Sequence, residues 1–367
     1  MSSRSDRANA SQADAAGSPD ALSASTNGAT LWVGSGGDGV AMALVAAMAG
    51  GTAVDANGAS CSAGSCSAWG WKLVAVGGDR RATASACAAR VGAAEVGSIR
   101  ELPQDVQRDG TRLPVGVHLI VGRDMPGPAD LDALLEGDAI VIGTAPLPAS
   151  TLEGQRLGER AARLRTVALF RWSDAMRTAQ SLMEEFLTEG APSSVSIRMR
   201  CADDEMGLRG VDAMLLDACD LALEFVPSVE SVSAIGRSPA TMTDVRVLSA
   251  IGRGTDGGIV SIDIADVGGW ERSVELTGPG GRLVVNDSVA LRWNRAGVLL
   301  ERMDLAGPTD CIGAIIESMR TLARTRGSRE SSPRQVSRLA FADATRLSVR
   351  TGNAESPASV EELAARP

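Results

Sequence analysis

Three glycines, Gly34, Gly36 and Gly39, have a G-x-G-x-x-G spacing within the stretch TLWVGSGGDGVAMALVAAMAG. In a dinucleotide-binding turn the first glycine makes the tight turn, the second lets the backbone approach a pyrophosphate, and the third lets the helix pack close to the strand. The helix N-terminus then offers unpaired N–H groups to the phosphates. The spacing predicts such a cradle; an ordinary glycine turn is the alternative in a chain with 41 glycines.

An acidic residue at the end of the next strand is the second requirement, because it holds the adenosine ribose. Asp79 ends the predicted strand LVAVGGD, farther along than the usual spacing of roughly 20 residues, and the extra length matches a Gly/Ser/Cys-rich insertion at 51–70. An aspartate here favours NAD, since it would repel a 2′-phosphate. Arg80 and Arg81 follow it and can instead accept that phosphate or stack on adenine. We therefore expect NAD, with NADP as the alternative.

Few residues of this chain hold a proton near neutral pH: there is one lysine, Lys72, one histidine, His118, and no tyrosine. Lys72 opens a predicted strand and is interpreted as a solvated surface residue. His118 lies in the predicted strand GVHLIVG, where a partly buried, hydrogen-bonded role is expected. Cys61 and Cys66 have no second cysteine pair and no nearby histidine, so a zinc site is not predicted.

Length and charge exclude several classes of protein. A chain of 367 residues with 44% hydrophobic content has room for about two domains. The net charge of -9, without a basic run, argues against a nucleic-acid partner. No apolar run approaches the roughly 20 residues that span a bilayer, so no membrane contact and a cytoplasmic location are expected. The Ser/Ala/Asp-rich residues 1–28 are predicted to form a disordered tail.

The pattern of elements changes near residue 166. Before it, buried strands alternate with helices, which predicts a parallel α/β sheet and a Rossmann domain over residues 29–165. After it, alternating segments such as GGIVSIDIADV and GGRLVVND, joined by Gly, Asp and Asn turns, predict an α+β domain over residues 166–367, built on an open and mostly antiparallel sheet. The apolar residues of these two segments predict a homo-oligomer formed through the sheet.

The ordered set of segments resembles the glucose-fructose oxidoreductase/inositol dehydrogenase (Gfo/Idh/MocA) family. The first half is similar in TLWVGSGGDG, KLVAVGGDRRATASACAARVGA and GDAIVIGTAP; the second in FRWSDAMRTAQSLMEEFLTEG, DLALEFVPSVESVSAIG and LAFADATRLSVRTGNAESP. The resemblance implies an NAD(P)-binding oxidoreductase of a sugar-like or polyol compound. It also implies that Thr144 and Pro146 form a Thr/Pro turn under the nicotinamide, and it points to the same sheet surface for assembly.

The chain departs from the family at the residues that handle protons. The Glu-Lys-Pro element that follows the Thr/Pro turn in the family is absent, and so is its lysine. The family's active-site histidine position aligns with Asp217, with Asp220 three residues later. We therefore expect impaired catalysis. The alternatives are an active dehydrogenase in which Asp217, Asp220 or a water ordered by Arg171 serves as the base, and a non-catalytic binding or assembly protein that has also lost the cofactor.

Overall fold

The computed structural model describes residues 27–49, 53–54, 60–61, 71–108, 111–123, 126–171, 173–201, 210–237, 246–266, 269–324 and 332–366. Two sheets organise these residues, one mainly parallel and one mainly antiparallel. The predicted fold class is therefore confirmed. Most of the predicted tail and most of the 51–70 insertion lie outside the described residues, although the first strand begins at Asn27, two residues earlier than predicted.

The first sheet has the strand order β5-β4-β1-β7-β8-β9, with β6 paired antiparallel to β7. All pairs along the main path are parallel. Its strands are β1 (Asn27–Val33), β4 (Trp71–Gly78), β5 (Ala94–Val96), β6 (Asp105–Arg108), β7 (Thr111–Val121), β8 (Ile140–Gly143) and β9 (Leu164–Thr166), and β2 (Ala53–Val54) and β3 (Ser60–Cys61) form a separate pair. The reversal of strand order between β1 and β7 is the topological switch point at which ligands bind in such sheets.

Four helices accompany this sheet: α1 (Asp38–Met48), α2 (Arg81–Val91), α3 (Pro128–Leu134) and α4 (Thr151–Leu157). Small and apolar residues let α1 lie close to the sheet, and Leu44 and Val45 on it are fully buried. Helix α2 ends at Gly92, which adopts the left-handed conformation with φ of 63°, as expected for a glycine C-cap. The strand-helix alternation read from the sequence is thus present in the structure.

The second sheet has eight strands in the order β11-β12-β13-β10-β14-β15-β16-β17, and only the pair β10–β13 is parallel. The strands are β10 (Ser194–Arg200), β11 (Val229–Arg237), β12 (Val247–Gly254), β13 (Ile259–Ala265), β14 (Glu271–Gly278), β15 (Gly281–Asn286), β16 (Val289–Trp293) and β17 (Leu299–Asp304). Burial alternates along most of them, as in β10, where Val195, Ile197 and Met199 are buried and their neighbours are not. One face is therefore covered and the other is open.

Six helices belong to this half: α5 (Asp174–Thr178), α6 (Gln180–Thr188), α7 (Gly210–Phe225), α8 (Cys311–Arg324), α9 (Ser332–Thr351) and α10 (Pro357–Ala364). Helix α7 lies against β10 and β13, and α9 lies against α7 and β11. Helix α8 contacts α1 and β8, and α9 contacts α4. Helices α8 and α9 thus join the second half of the chain to the first.

Several predicted elements differ in length. The strand expected over TVALFRW, residues 166–172, shares only Thr166 with β9, because the residues after Val167 leave the sheet and run towards α7. The helix expected from Ser173 to Gly190 is divided at Ala179 into α5 and α6. The division proposed between residues 165 and 166 falls inside β9.

Candidate cofactor-binding and active site

The turn after β1 is held against the end of β7. The N–H of Gly34 donates to the carbonyl of Val121 at 2.7 Å, and the N–H of Arg123 donates to the carbonyl of Ser35 at 2.9 Å. Gly36 has a φ of 70°, a conformation that L side chains rarely adopt. Gly34 and Gly36 therefore lie in a tight turn at the switch point, with the N-terminus of α1 directly after them.

The glycine that allows close packing at this turn is Gly37, and the role of Gly39 in cofactor binding stays a prediction. A Cβ on Gly37 would lie 2.5 Å from the carbonyl oxygen of Val121, closer than real Cβ atoms approach. Gly39 lies in the first turn of α1 and is exposed. The consecutive pair Gly36-Gly37 was visible in the sequence, but the G-x-G-x-x-G spacing assigned the packing role to Gly39, two residues later.

Arg123 covers the turn from the neighbouring strand, and sequence reasoning missed it. A Cβ on Gly36 would stand 3.1 Å from Nε of Arg123, so the guanidinium end lies beside the part of the backbone that a pyrophosphate would approach. Gly122 precedes it with a φ of 149° and lies against Gly34. The Gly-Arg pair directly after the fourth strand of the sheet was the available signal, because that strand borders the switch point.

Asp79 follows β4, in the place expected for the ribose-binding acid. It is exposed, and its carboxylate has no hydrogen-bond or ion-pair partner within the part of the chain that the structure describes. Arg80 begins α2 as its N-cap and forms an ion pair with Asp38, with 3.1 Å between Nε and Oδ2. The hydroxyl of Thr83 also donates to Asp38. Asp38 was not a predicted site residue, and its place in the fingerprint gave no sign that it contacts α2.

Thr144 and Pro146, which the resemblance places under the nicotinamide, are both buried, and their contact with a cofactor stays a prediction. The Thr144 hydroxyl donates to the carbonyl of Gly122 at 3.0 Å and accepts from its N–H at 2.9 Å. The side chain is 0% exposed. Thr144 therefore fixes the backbone of Gly122 in the turn after β7, and its own side chain is not exposed at the protein surface.

Asp217 lies on α7 and is buried, with 4% of the residue exposed. Its Oδ2 accepts a hydrogen bond from the N–H of Phe170 at 2.7 Å, while Oδ1 is buried without a hydrogen-bond partner. Burial is the main cause that raises the pKa of this carboxyl to about 7, and the nearby charge of Asp220 contributes to the rise. Asp217 is thus a proton-holding group at neutral pH, but it faces the protein interior.

Asp220 is 3% exposed and lies among three arginines. Arg171 donates to its Oδ2, the Nε of Arg334 lies 3.4 Å from Oδ1, and Nη1 of Arg338 lies 3.8 Å from Oδ2. Arg171 and Arg334 also pair with Glu224 on the next turn of α7. Because these charges compensate one another, Asp220 and Arg171 act first as an ion-pair network that joins α7, α9 and the segment after β9.

A second buried cluster surrounds Arg272 on β14, which is 2% exposed. Its Nε donates to Asp287 at 2.6 Å, its Nη2 lies 3.6 Å from Glu317 of α8, and its guanidinium lies 5.3 Å from the ring centre of Phe170. Burial raises the pKa of Glu317. This cluster was missed because an arginine in an alternating strand reads as a surface residue.

The chain's single histidine and single lysine lie on strands of the first sheet, whereas Asp217 lies on α7. His118 on β7 is 0% exposed, and its Nδ1 lies 2.7 Å from the hydroxyl of Thr30. Burial lowers the pKa of His118 to about 4. Lys72 is exposed near the start of β4, at the end of the strand opposite Asp79.

A cleft of about 430 Å³ lies beside Arg171, between α5, α6, α7 and α8. Its walls include Met176, Met183, Leu221 and Glu224. The cleft places Arg171 and Glu224 at the border between the buried ion-pair network and solvent. It is a candidate surface for a small ligand.

Neither a metal site nor a membrane span was found in the described ranges. Within them, no group of three or more His, Cys, Asp and Glu side chains is arranged to hold a metal ion. No helix in the same ranges has the length and apolar character needed to cross a bilayer. Cys66 lies outside the described residues, as does the side chain of Cys61.

Comparison with known proteins shows similarity in structure but not in sequence. No protein-family model and no curated protein matches the chain. A myo-inositol dehydrogenase from Corynebacterium glutamicum ATCC 13032 superposes with a TM-score of 0.62 at 17% identity, covering 90% of this chain and 98% of that one. An oxidoreductase from Agrobacterium radiobacter in complex with NAD+, L-tartaric acid and magnesium gives a TM-score of 0.65 at 12% identity and the same coverage.

A third similar structure is a 3-ketoreductase from Actinomadura kijaniata in complex with NADP, with a TM-score of 0.63 at 16% identity. It covers 88% of this chain and 98% of the other. The similarity therefore extends over both sheets. The fold implied by the resemblance noted from the sequence is confirmed: the chain has the same overall fold as these dehydrogenases and oxidoreductases.

Proposed function

We propose that this protein binds a nicotinamide dinucleotide, NAD in preference to NADP, on the turn between β1 and α1, and that it is a sugar- or polyol-dehydrogenase-like protein with impaired turnover. Residues 29–165 would hold the nucleotide, and residues 166–367 would supply the surface that faces a small sugar-like or polyol ligand. When bound, the nicotinamide would supply the hydride chemistry of such a reaction. The similar structures with NAD+ and NADP support this assignment.

The glycine turn fits a pyrophosphate. Gly36 leaves the backbone open on the side where Arg123 lies, and the N-cap residue Gly37 of α1 supplies no side chain to cap the first N–H groups of the helix. Asp79 is available for a ribose hydroxyl at the end of β4. Phosphate binding at a helix N-terminus needs these backbone groups and the partial positive charge of the helix. None of them depends on the proton-handling residues that the chain lacks.

The observation that carries the proposal of impaired turnover is the burial of Asp217. Oxidation of a secondary alcohol needs a group that accepts the hydroxyl proton, and a positioned base contributes roughly 10²- to 10⁴-fold to the rate. Asp217 directs one oxygen to the N–H of Phe170 and is almost completely buried. Asp220 forms ion pairs with arginines, and both His118 and Lys72 lie on strands of the first sheet. None of these four residues is therefore placed to act as the base, because Asp217, Asp220 and His118 are buried and Lys72 lies at the end of β4 opposite Asp79.

The experiment is an absorbance assay at 340 nm with NAD or NADP and a panel of polyols and sugars, preceded by a calorimetric titration with each nucleotide. Saturable NAD binding with turnover below about one hundredth of an ordinary median of 10 s⁻¹ supports the proposal. Binding of neither nucleotide ends the cofactor assignment. Rapid NAD reduction with any member of the panel ends the assignment of impaired turnover.

One observation favours an active enzyme as the second candidate. A general base is most effective when its pKa is near the working pH, and burial places the pKa of Asp217 at about 7. On this alternative, the rate would rise with pH as Asp217 loses its proton, with a midpoint near 7. The variant Asp217→Asn would lose turnover while it keeps NAD binding. A rate that does not depend on the side chain at residue 217 excludes Asp217 as the base.

A further inference from the structure

We propose that Asp38 sets the preference of the nucleotide site for NAD over NADP by holding the guanidinium of Arg80. This inference rests on the proposed nucleotide site, and it adds a specificity-determining residue outside the glycines and the ribose acid. Asp38 is the first residue of α1, and Arg80 is the N-cap of α2. The pair therefore connects the two helices that border the nucleotide site.

The contacts of Asp38 fix the position of Arg80. Nε of Arg80 lies 3.1 Å from Oδ2 and 3.4 Å from Oδ1 of Asp38, so both carboxylate oxygens face the guanidinium. The hydroxyl of Thr83, one turn into α2, donates to the same carboxylate. Asp38 thus receives donors from two residues of α2, and its own side chain remains partly exposed, at 36%.

Arg80 is the residue in the right place to recognise a 2′-phosphate. In folds of this kind the acid at the end of the second strand binds the ribose hydroxyls, and an arginine nearby accommodates the extra phosphate of NADP. Arg80 directly follows Asp79, which ends that strand. A guanidinium binds a phosphate best when both prongs of its fork are available. Because Nε of Arg80 bonds to Asp38, the Nε–Nη2 edge of the guanidinium is not available to a ligand, and Asp38 fixes the direction of the remaining Nη1–Nη2 edge.

Asp38 also opposes a second phosphate by its own charge. A carboxylate and a phosphate within a few ångströms repel each other, and this repulsion adds to the loss of the arginine. An exposed ion pair alone accounts for at most about a fivefold change in affinity. Together, the release of Arg80 and the loss of repulsion should improve binding of a 2′-phosphate by about fivefold to tenfold.

The test compares two probes without nicotinamide, 2′,5′-ADP and 5′-ADP, by calorimetric titration. The proteins are the unaltered chain, Asp38→Asn, Arg80→Ala and the double variant. We expect Asp38→Asn to strengthen binding of 2′,5′-ADP relative to 5′-ADP by about fivefold to tenfold. The double variant should lose the part of this gain that Arg80 provides. Asp38→Ser serves as a second replacement, and melting temperatures without ligand check the folding of each variant.

The outcomes separate this inference from the proposed function. If the unaltered protein binds neither 5′-ADP, NAD nor NADP, the nucleotide site itself is wrong. If it binds NAD but the ratio of the two ADP affinities is the same in Asp38→Asn and Asp38→Ser as in the unaltered protein, the role of Asp38 is wrong and the site stands. A gain that persists in full after Arg80→Ala also overturns the inference, because the arginine then plays no part.

Discussion

The carboxylate of Asp217 accepts a hydrogen bond from the backbone N–H of Phe170 at 2.7 Å. This contact ties helix α7 to the segment that leaves β9, the last strand of the first sheet. The ring of Phe170 also lies under the buried guanidinium of Arg272, which links the same segment to β14. Asp217, the residue that aligns with a proton-handling histidine, therefore lies where the segment after β9 contacts the second half of the chain.

Asp217 gives the stability of the protein a defined pH dependence. Its pKa is raised to about 7 in the folded chain, so between about pH 4 and pH 7 the folded protein holds a proton that the unfolded chain has lost. The contribution of Asp217 to the free energy of unfolding therefore decreases as pH rises through this range. Asp217→Asn has no carboxyl to titrate at this place, so this decrease is absent. Relative to the unaltered protein, its free energy of unfolding should increase by on the order of a few kcal/mol as the pH rises to 7.

Urea unfolding of both proteins at about pH 4.5 and about pH 7.5 measures this difference. The comparison between variant and unaltered protein is needed because the buried His118 contributes the opposite slope below about pH 6.5. Asp304→Asn, a change at an exposed residue of β17, is the control and should show no such gain. Parallel pH curves for Asp217→Asn and the unaltered protein would contradict the raised pKa.

Arg272 should be among the most costly residues to replace. Removing one member of a buried charge pair leaves the other uncompensated and typically costs about 3–5 kcal/mol. Arg272→Met leaves Asp287 and Glu317 without their buried cation. Arg302→Met is the matched control, because Arg302 pairs with Asp304 on the surface and should cost less than about 1 kcal/mol. Equal losses in the free energy of unfolding would show that the Arg272 cluster is not stabilising.

His118 allows a direct check of burial, because it is the only histidine in the chain. Its pKa is lowered to about 4 by burial, so it stays neutral across the ordinary working range. In an NMR titration, the imidazole proton signals of the folded protein should not move between about pH 5.5 and pH 8. The urea-unfolded chain should titrate near 6.5 and calibrates the experiment. A midpoint near 6.5 in the folded protein would show that β7 does not bury this residue.

Self-association through the open sheet face remains a prediction, but its residues differ from those expected. Val260, Ile262 and Ile264 of β13 and Leu283 and Val285 of β15 are buried under the helices. The open face instead carries Ile235 and Ile251, which are 76% and 61% exposed, and, farther across the sheet, the ion pair of Arg198 with Glu271. Sedimentation should find an oligomer at micromolar concentration that Ile251→Asp weakens. Val298→Asp, in the turn before β17, is the control; a monomer throughout would contradict the prediction.

The architecture could be predicted from the sequence because the hydrophobic periodicity and the positions of glycines depend on the local backbone geometry. Buried runs such as LVAVGG and alternating runs such as SVSIRMR each became a strand of the expected sheet. Gly36, the C-cap Gly92 and the exposed Asp79 were also placed correctly, since each depends on the local order of strand, turn and helix. These features are decided within one supersecondary unit.

The contacts of the candidate site were less predictable because they join distant parts of the chain. The approach of Asp38 to Arg80, of Arg123 to Gly36 and of Thr144 to Gly122 follows from how neighbouring strands end at one edge of the sheet. The burial of Arg272 depends on the helices that cover its strand. The resemblance to a family gave Thr144 and Pro146 as ligand contacts, but it contained no information on the burial of their side chains.

The central claim is that the glycine turn binds NAD, and Gly36 tests it most directly. Gly36→Val places a branched side chain at a φ of 70°, against Arg123 and in the path of a pyrophosphate. Gly39→Ala, at the exposed residue of the same motif, is the matched control. The measurement is the free energy of unfolding with and without NAD at 100 times the dissociation constant. We expect about 2.7 kcal/mol of stabilisation in the unaltered protein and in Gly39→Ala, and none in Gly36→Val. No stabilisation of the unaltered protein by NAD, or equal stabilisation of Gly36→Val, would contradict the claim.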